Sequence, residues 1–80
     1  MSIKVLYFAS LREDIGRASD LIEDTGQTGS LTIAQLWIKA TGRNTIPDEL
    51  LVALNQEYTD IQASVKDGDE VAFFPPVTGG

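Results

Sequence analysis

The sequence predicts a small α+β domain in which one main helix lies across one face of a mixed sheet. Three observations point there. Eighty residues allow one domain with a small core, burying only about 60% of the unfolded surface. A single segment, from about 33 to 41, places Ile33, Leu36, Trp37 and Ala40 at the i, i+3, i+4, i+7 spacing of a buried helical stripe. The other apolar runs are short and bounded by turn residues, as strands are. Leu, Ile, Val and Phe supply 23 of the 80 residues, above the level of roughly 20% that marks chains unable to fold.

Taken in order, Ile3 to Ala9 is apolar and ends at a polar break, the mark of a strand. Ser10-Leu11-Arg12-Glu13 matches a capping box with Ser10 as N-cap, and Gly16 closes that helix after little more than a turn. Ser19 to Thr25 reads as a second strand, paired with the first as a hairpin, and 26–30 as a loop. Thr32-Ile33-Ala34-Gln35 is another capping box, Leu31 and Leu36 form a hydrophobic staple, and Gly42 stops the main helix. Residues 44–49 are a turn region. Leu50 to Leu54 is a buried strand, Asn55-Gln56-Glu57 a turn, and Tyr58-Thr59 the start of an edge strand. Lys66-Asp67-Gly68-Asp69 is a turn, Glu70 to Phe74 the final strand, and Pro75-Pro76 its end, because proline cannot donate to a ladder. With the first and last strands central and parallel across a crossover, the order β-β-α-β-β is the β-grasp arrangement.

Composition removes several kinds of chemistry. Twelve acidic against six basic residues give a net charge of −6, which works against nucleic acid or an anionic membrane as partner. The chain has no Cys, so thiolate metal sites and thiol catalysis are absent. It has no His, the commonest general base and metal ligand. The carboxylate clusters Glu13/Asp14, Glu23/Asp24, Asp48/Glu49 and Asp67/Asp69/Glu70 fall at turns or helix starts, where acids are expected to be solvated or to help capping, and no metal site is expected. The apolar run in MSIKVLYFAS is too short for a signal-peptide core, and no stretch approaches the roughly 20 apolar residues of a membrane helix. The expectation is a soluble, cytoplasmic, acidic domain.

Two features remain that carry function. Residues alternate faces along a strand, so Lys4, Leu6 and Phe8 oppose Ile3, Val5 and Tyr7, and Ala72 and Phe74 oppose Val71 and Phe73. The face with Lys4 is the better outer face. It would expose Leu6, Phe8 and Phe74 beside Tyr58, an apolar cluster of the kind that docks a partner. The second feature is Pro75-Pro76-Val77-Thr78-Gly79-Gly80. Pro-Pro favours an extended exit, and six extended residues reach about 20 Å. The two glycines fit a passage too narrow for other residues, and the last presents a main-chain carboxylate. The division expected is a domain over 1–74 and an extended tail over 75–80.

The segments Ile3-Lys4-Val5-Leu6-Tyr7-Phe8-Ala9-Ser10-Leu11-Arg12-Glu13 and Asp67-Gly68-Asp69-Glu70-Val71-Ala72-Phe73-Phe74-Pro75-Pro76-Val77-Thr78-Gly79-Gly80 resemble the molybdopterin synthase small subunits, a family of ubiquitin-like sulfur carriers. Val52-Ala53-Leu54-Asn55-Gln56-Glu57 adds a weaker match, and 17–50 little. The resemblance implies a ubiquitin-like β-grasp fold and a sulfur-donor role that is not catalytic alone. An ATP-dependent activating enzyme would adenylate the Gly80 carboxylate, and a sulfurtransferase would supply the sulfur of a C-terminal thiocarboxylate. The large synthase subunit would take in Pro75, Pro76, Val77, Thr78 and Gly79, so that the sulfur reaches cyclic pyranopterin monophosphate and, in two transfers, builds the dithiolene of molybdopterin. No cofactor would be bound stably, since ATP is consumed by the activating enzyme, and the assembly would be a heterotetramer. Phe8, Tyr58 and Phe74 match the family's contact surface by position, with Tyr58 where an aliphatic residue is expected. The rival readings are a thiamin-thiazole sulfur carrier, whose chains are usually shorter and lack the Phe-Phe-Pro-Pro run, a ubiquitin-like modifier joined through Gly80 to lysines, and a binding module with an inert tail.

Overall fold

The computed structural model describes residues 2–23 and 31–76. The main sheet is built from β1 (Ser2–Tyr7), β2 (Ser19–Glu23), β4 (Leu51–Leu54), β5 (Glu57–Thr59) and β7 (Glu70–Phe74), in the order β2-β1-β7-β4-β5. The pair β1–β7 is parallel and every other pair in this sheet is antiparallel. The helices are α1 (Ser10–Ile15) and α2 (Ile33–Thr41). This is the mixed-sheet, one-main-helix arrangement that the sequence predicts.

α2 forms where its local signals say it should. The Thr32 hydroxyl accepts from the Gln35 N–H, and the Gln35 side chain accepts from the Thr32 N–H, so both halves of the capping box are made. Gly42 ends the helix in the left-handed conformation at φ 74°, its N–H donating to the Ile38 carbonyl. The stripe Ile33, Leu36, Trp37 and Ala40 is buried against Ile3, Val5, Tyr7, Val52, Val71 and Phe73 on the inner face of the sheet. Trp37 meets Phe73 edge-on at 5.0 Å, and its indole N–H donates to the Thr45 carbonyl at 3.0 Å. That bond satisfies the one polar atom the burial of tryptophan would otherwise strand.

Tyr7 is held in the same way. Its hydroxyl donates to Asp20 Oδ2 at 2.9 Å, and Arg17 donates to the same oxygen and to the Ala40 carbonyl. Burial, and then the neighbouring Asp20 carboxylate, push the phenol well above its ordinary pKa, so it stays neutral. The cluster ties β1, β2 and the end of α2 together.

Four expectations need correction. Ser10 does not cap α1: it is the first helical residue, and the cap position belongs to Ala9, which makes no side-chain bond. The Leu11 and Arg12 N–H groups are met instead by the Phe8 and Ala9 carbonyls, at 3.1 and 3.0 Å. Two short strands were not foreseen, β3 (Leu31–Thr32) and β6 (Ser64–Val65), paired antiparallel as a ribbon of their own. Boundaries shift slightly: the first strand stops at Tyr7, the fourth starts at Leu51, and the edge strand starts at Glu57. Finally, Asp69 is not solvated. It is 6% exposed and accepts from the Asn55 side chain and the Lys66 N–H. The expected end of the second strand at Asp24 and Thr25, the loop over 26–30, and the residues Val77, Thr78, Gly79 and Gly80 lie outside the described residues. Among the described residues no helix is long and apolar enough to cross a membrane.

Candidate docking face and the root of the tail

The outer face of the sheet brings together the three side chains singled out from the sequence. Phe8 follows the end of β1, and its N–H donates to the Phe73 carbonyl at 3.1 Å, carrying the parallel ladder one step further. Its ring stacks on Phe74 with centroids 4.8 Å apart and planes 8° from parallel. Tyr58, on β5, tilts against the other side of Phe74 at 6.0 Å. Phe8 is 41% and Tyr58 73% exposed. Alternation is the cause: Phe73 is fully buried under Trp37, so its neighbour Phe74 must point to the opposite face.

The corner that follows Phe8 is sharp. Ala9 sits at φ 54° and ψ −132°, the first central position of a type II′ turn, which favours glycine. The turn returns the chain inward so that Leu11 joins the core while Phe8 stays outside. At the far edge, Asn55 and Gln56, at φ 51° and 72°, form the two-residue hairpin loop that sets β5 and Tyr58 beside β4. The Asn55 N–H donates to the Glu70 carbonyl and its side chain bonds Asp69 and the Glu70 N–H, clamping this hairpin to the start of β7. Burial alone would raise the Asp69 pKa. The Asn55 bond, the Lys66 N–H and the Lys66 charge outweigh it and hold the carboxyl below its usual range.

Phe74 is the last residue of β7, and Pro75 and Pro76 follow outside any regular element. The aromatic cluster therefore lies at the root of the tail segment. The remaining acids act locally: Asp14 pairs with Arg43 at 2.7 Å, Asp67 accepts from the Ser2 N–H, and Lys4 lies 4.0 Å from Glu70 in an exposed pair of little energetic weight. Among the described residues no three metal-capable side chains converge. Ala72, placed on the outer face by alternation, lies between these large side chains, and beside it lies Ala53, which sequence reasoning missed. Their place depends on register between strands distant in sequence.

The ThiS family matches over residues 5–80. The chain is 42% identical to the molybdopterin synthase sulfur carrier subunit of Chlamydomonas reinhardtii, covering 100% of both chains. It is 40% identical to that of Haemophilus influenzae, covering 98% of this chain and 99% of the relative. Among solved structures, SAMP1 from Haloferax volcanii superposes with a TM-score of 0.80 at 25% identity, over the whole of both chains. A chain from the complex of subunits 1 and 2 of the Helicobacter pylori molybdopterin-converting factor superposes with a TM-score of 0.62 at 23% identity, again over the whole of both.

Proposed function

The chain belongs to the ThiS family, among its molybdopterin synthase sulfur carrier subunits, and from that premise we propose that its chemistry resides on the carboxylate of Gly80. A carboxylate is a poor electrophile until it carries a good leaving group. An ATP-dependent activating enzyme joins it to AMP with loss of pyrophosphate. Sulfur delivered at the sulfide level by a sulfurtransferase then attacks the acyl carbon, AMP departs, and a thiocarboxylate is left with no change of oxidation state. This soft nucleophile needs no cysteine on its carrier, and the chain has none. The large subunit of molybdopterin synthase receives Pro75 to Gly79 as a slender stalk and brings the sulfur to cyclic pyranopterin monophosphate. Two such transfers complete the dithiolene of molybdopterin.

In this reading residues 1–74 are a docking body and 75–80 the reactive arm. The body binds no cofactor stably, since ATP is spent in the activating enzyme's site, and acid–base catalysis falls to the large subunit, because this chain lacks histidine. The assembly is a cytoplasmic heterotetramer with a carrier at each end of a large-subunit dimer. Its partners are proteins rather than nucleic acid or membrane, in keeping with a net charge of −6. One observation carries the proposal: the apolar outer face ends at Phe74, the residue from which the arm departs. A protein that takes in the arm meets Phe8, Tyr58 and Phe74 at the same time.

Intact-mass measurement tests it. After incubation with ATP, an activating enzyme and a sulfide donor, the full chain gains one sulfur in place of one oxygen, and a chain lacking Gly80 gains none. The shortened chain melts at the same temperature but makes no molybdopterin with the large subunit. Normal product from the shortened chain, or adducts on the lysines of other proteins in place of the thiocarboxylate, would overturn the proposal.

A further inference from the structure

Asp67 is the one aspartate in the chain that is followed by glycine. That pair is the most reactive of aspartyl links, because glycine has no Cβ to shield its nitrogen from the neighbouring carboxyl. It sits in an exposed turn over 66–69, where the Asp69 N–H donates to the Lys66 carbonyl at 3.1 Å and Gly68 takes φ 88°. A single residue far away in sequence occupies both reacting groups. The Ser2 N–H donates to Asp67 Oδ1 at 2.7 Å, and the Ser2 carbonyl accepts from the Gly68 N–H at 2.8 Å. Ser2 is itself lightly held. It is the first residue of β1, it faces Glu23 at the last position of β2, and the parallel ladder to β7 begins only at Lys4. Strand ends of this kind open locally at far lower cost than the fold as a whole.

We propose that Asp67-Gly68 is a site of aspartate isomerisation that Ser2 holds shut. When Ser2 lifts away, the Gly68 main-chain nitrogen attacks Cγ of the protonated Asp67 carboxyl. The N–Cγ bond forms, a Cγ–O bond breaks, and the oxygen leaves as water with the carboxyl proton and the amide proton. Hydrolysis of the resulting cyclic imide at its main-chain carbonyl returns that water and leaves the chain linked through Cγ, with a new free α-carboxylate. Nothing is oxidised or reduced, and neither Gly80 nor a partner takes part. The product carries an extra methylene in the main chain at the entry to β7. There the Lys66 N–H meets the buried Asp69 Oδ2 at 2.8 Å, and the Asp69 carbonyl accepts from the Lys4 N–H at 3.0 Å. A longer turn displaces these bonds against one another, so the strand that bears Phe74 is tied less firmly to β1.

The test is ageing of the purified full chain at neutral pH, folded and in urea, beside Ser2→Pro and Asp67→Glu, all with Met1 retained. Proline keeps the carbonyl at position 2 but has no N–H for Asp67, and it is tolerated at the first position of a strand. Glutamate keeps the charge but needs a larger ring, which closes far more slowly. Thermal melts establish which fresh variants fold. The isomer is counted by enzymatic methylation of isoaspartyl residues and placed by fragment masses of the peptide that spans the turn. It should accumulate at residue 67 at least about tenfold faster in urea than in the folded parent, and at least about threefold faster in folded Ser2→Pro. Asp67→Glu should gain none, and the isomerised fraction of the parent should melt below fresh chain. No isomer at residue 67 of the parent in urea, or an undiminished yield from Asp67→Glu, overturns the site. Equal rates in the folded parent and folded Ser2→Pro overturn the gate. Should Ser2→Pro fail to fold, equal rates for the parent folded and in urea do the same.

Discussion

Phe73 and Phe74 are adjacent in sequence and opposite in duty, and truncating each to alanine should separate stability from docking. Phe73 is fully buried, edge-on to Trp37 at 5.0 Å and stacked on Tyr7 at 6.2 Å. Removing such a ring costs about 3–5 kcal/mol, part transfer and part cavity. A domain of this length holds about 4–12 kcal/mol in all, so Phe73→Ala should be largely unfolded or lose roughly 15 °C or more of its melting temperature. Phe74 is half-buried and loses mainly its stacking on Phe8 and Tyr58, about 1–2 kcal/mol. Its docking loss should be larger, at least about thirtyfold in affinity, as for an anchor at the centre of an interface. Urea melts followed by the fluorescence of Trp37, the only tryptophan, report the first quantity, and calorimetric titration with the large subunit reports the second. Equal destabilisation by the two substitutions would refute the assignment of faces. Unchanged affinity of Phe74→Ala would refute the docking face.

Two further predictions concern the supports of that face. Asp69 has its folded-state pKa held below the ordinary value, so its contribution is complete above the unfolded pKa of about 3.9 and is lost as pH falls through the lower folded value. Urea midpoints measured from about pH 6 to about pH 2 should therefore fall less steeply for Asp69→Asn than for the parent; identical acid limbs would show that the buried carboxylate is not the group being titrated. Ala9→Gly should stabilise the fold by about 1 kcal/mol, because glycine relieves a strained φ of 54° at more than the entropy it adds to the unfolded chain. A lower urea midpoint for this variant would mean that the corner is not strained.

Much of this was legible in the chain, for physical reasons that differ by element. α2 could be read residue for residue because its cap, stripe and stop are all local: Thr32 with Gln35, Ile33 through Ala40, and Gly42. Period-two alternation likewise separates the inner set Ile3, Val5 and Tyr7 from the outer set Leu6, Phe8 and Phe74, with Tyr58 beside it. The start of α1 was misread because Ser10-Leu11-Arg12-Glu13 has the letters of a capping box, while the backbone at Ala9 already satisfies the first amides. The ribbon of β3 and β6 has two residues per strand, too few for any period to show. The contacts of Asp69 and the pairing of Ala72 with Ala53 depend on partners brought in from β4 and its hairpin, 14 to 19 residues away. No local pattern reveals such a distance.

The placement of β7 between β1 and β4 has a consequence for how the molecule is made. The strand that joins the two halves of the sheet is the last to be synthesised. Until it arrives, β1 with β2 and β4 with β5 are two separate hairpins with no shared ladder, and Phe73 is missing from beneath Trp37. Hairpins of that size are marginal alone in water. A ribosomal product cut short before β7 therefore lacks the strand that unites the sheet and should stay unfolded and open to proteolysis, and only a chain translated through Phe73 acquires a body that enzymes downstream can grip.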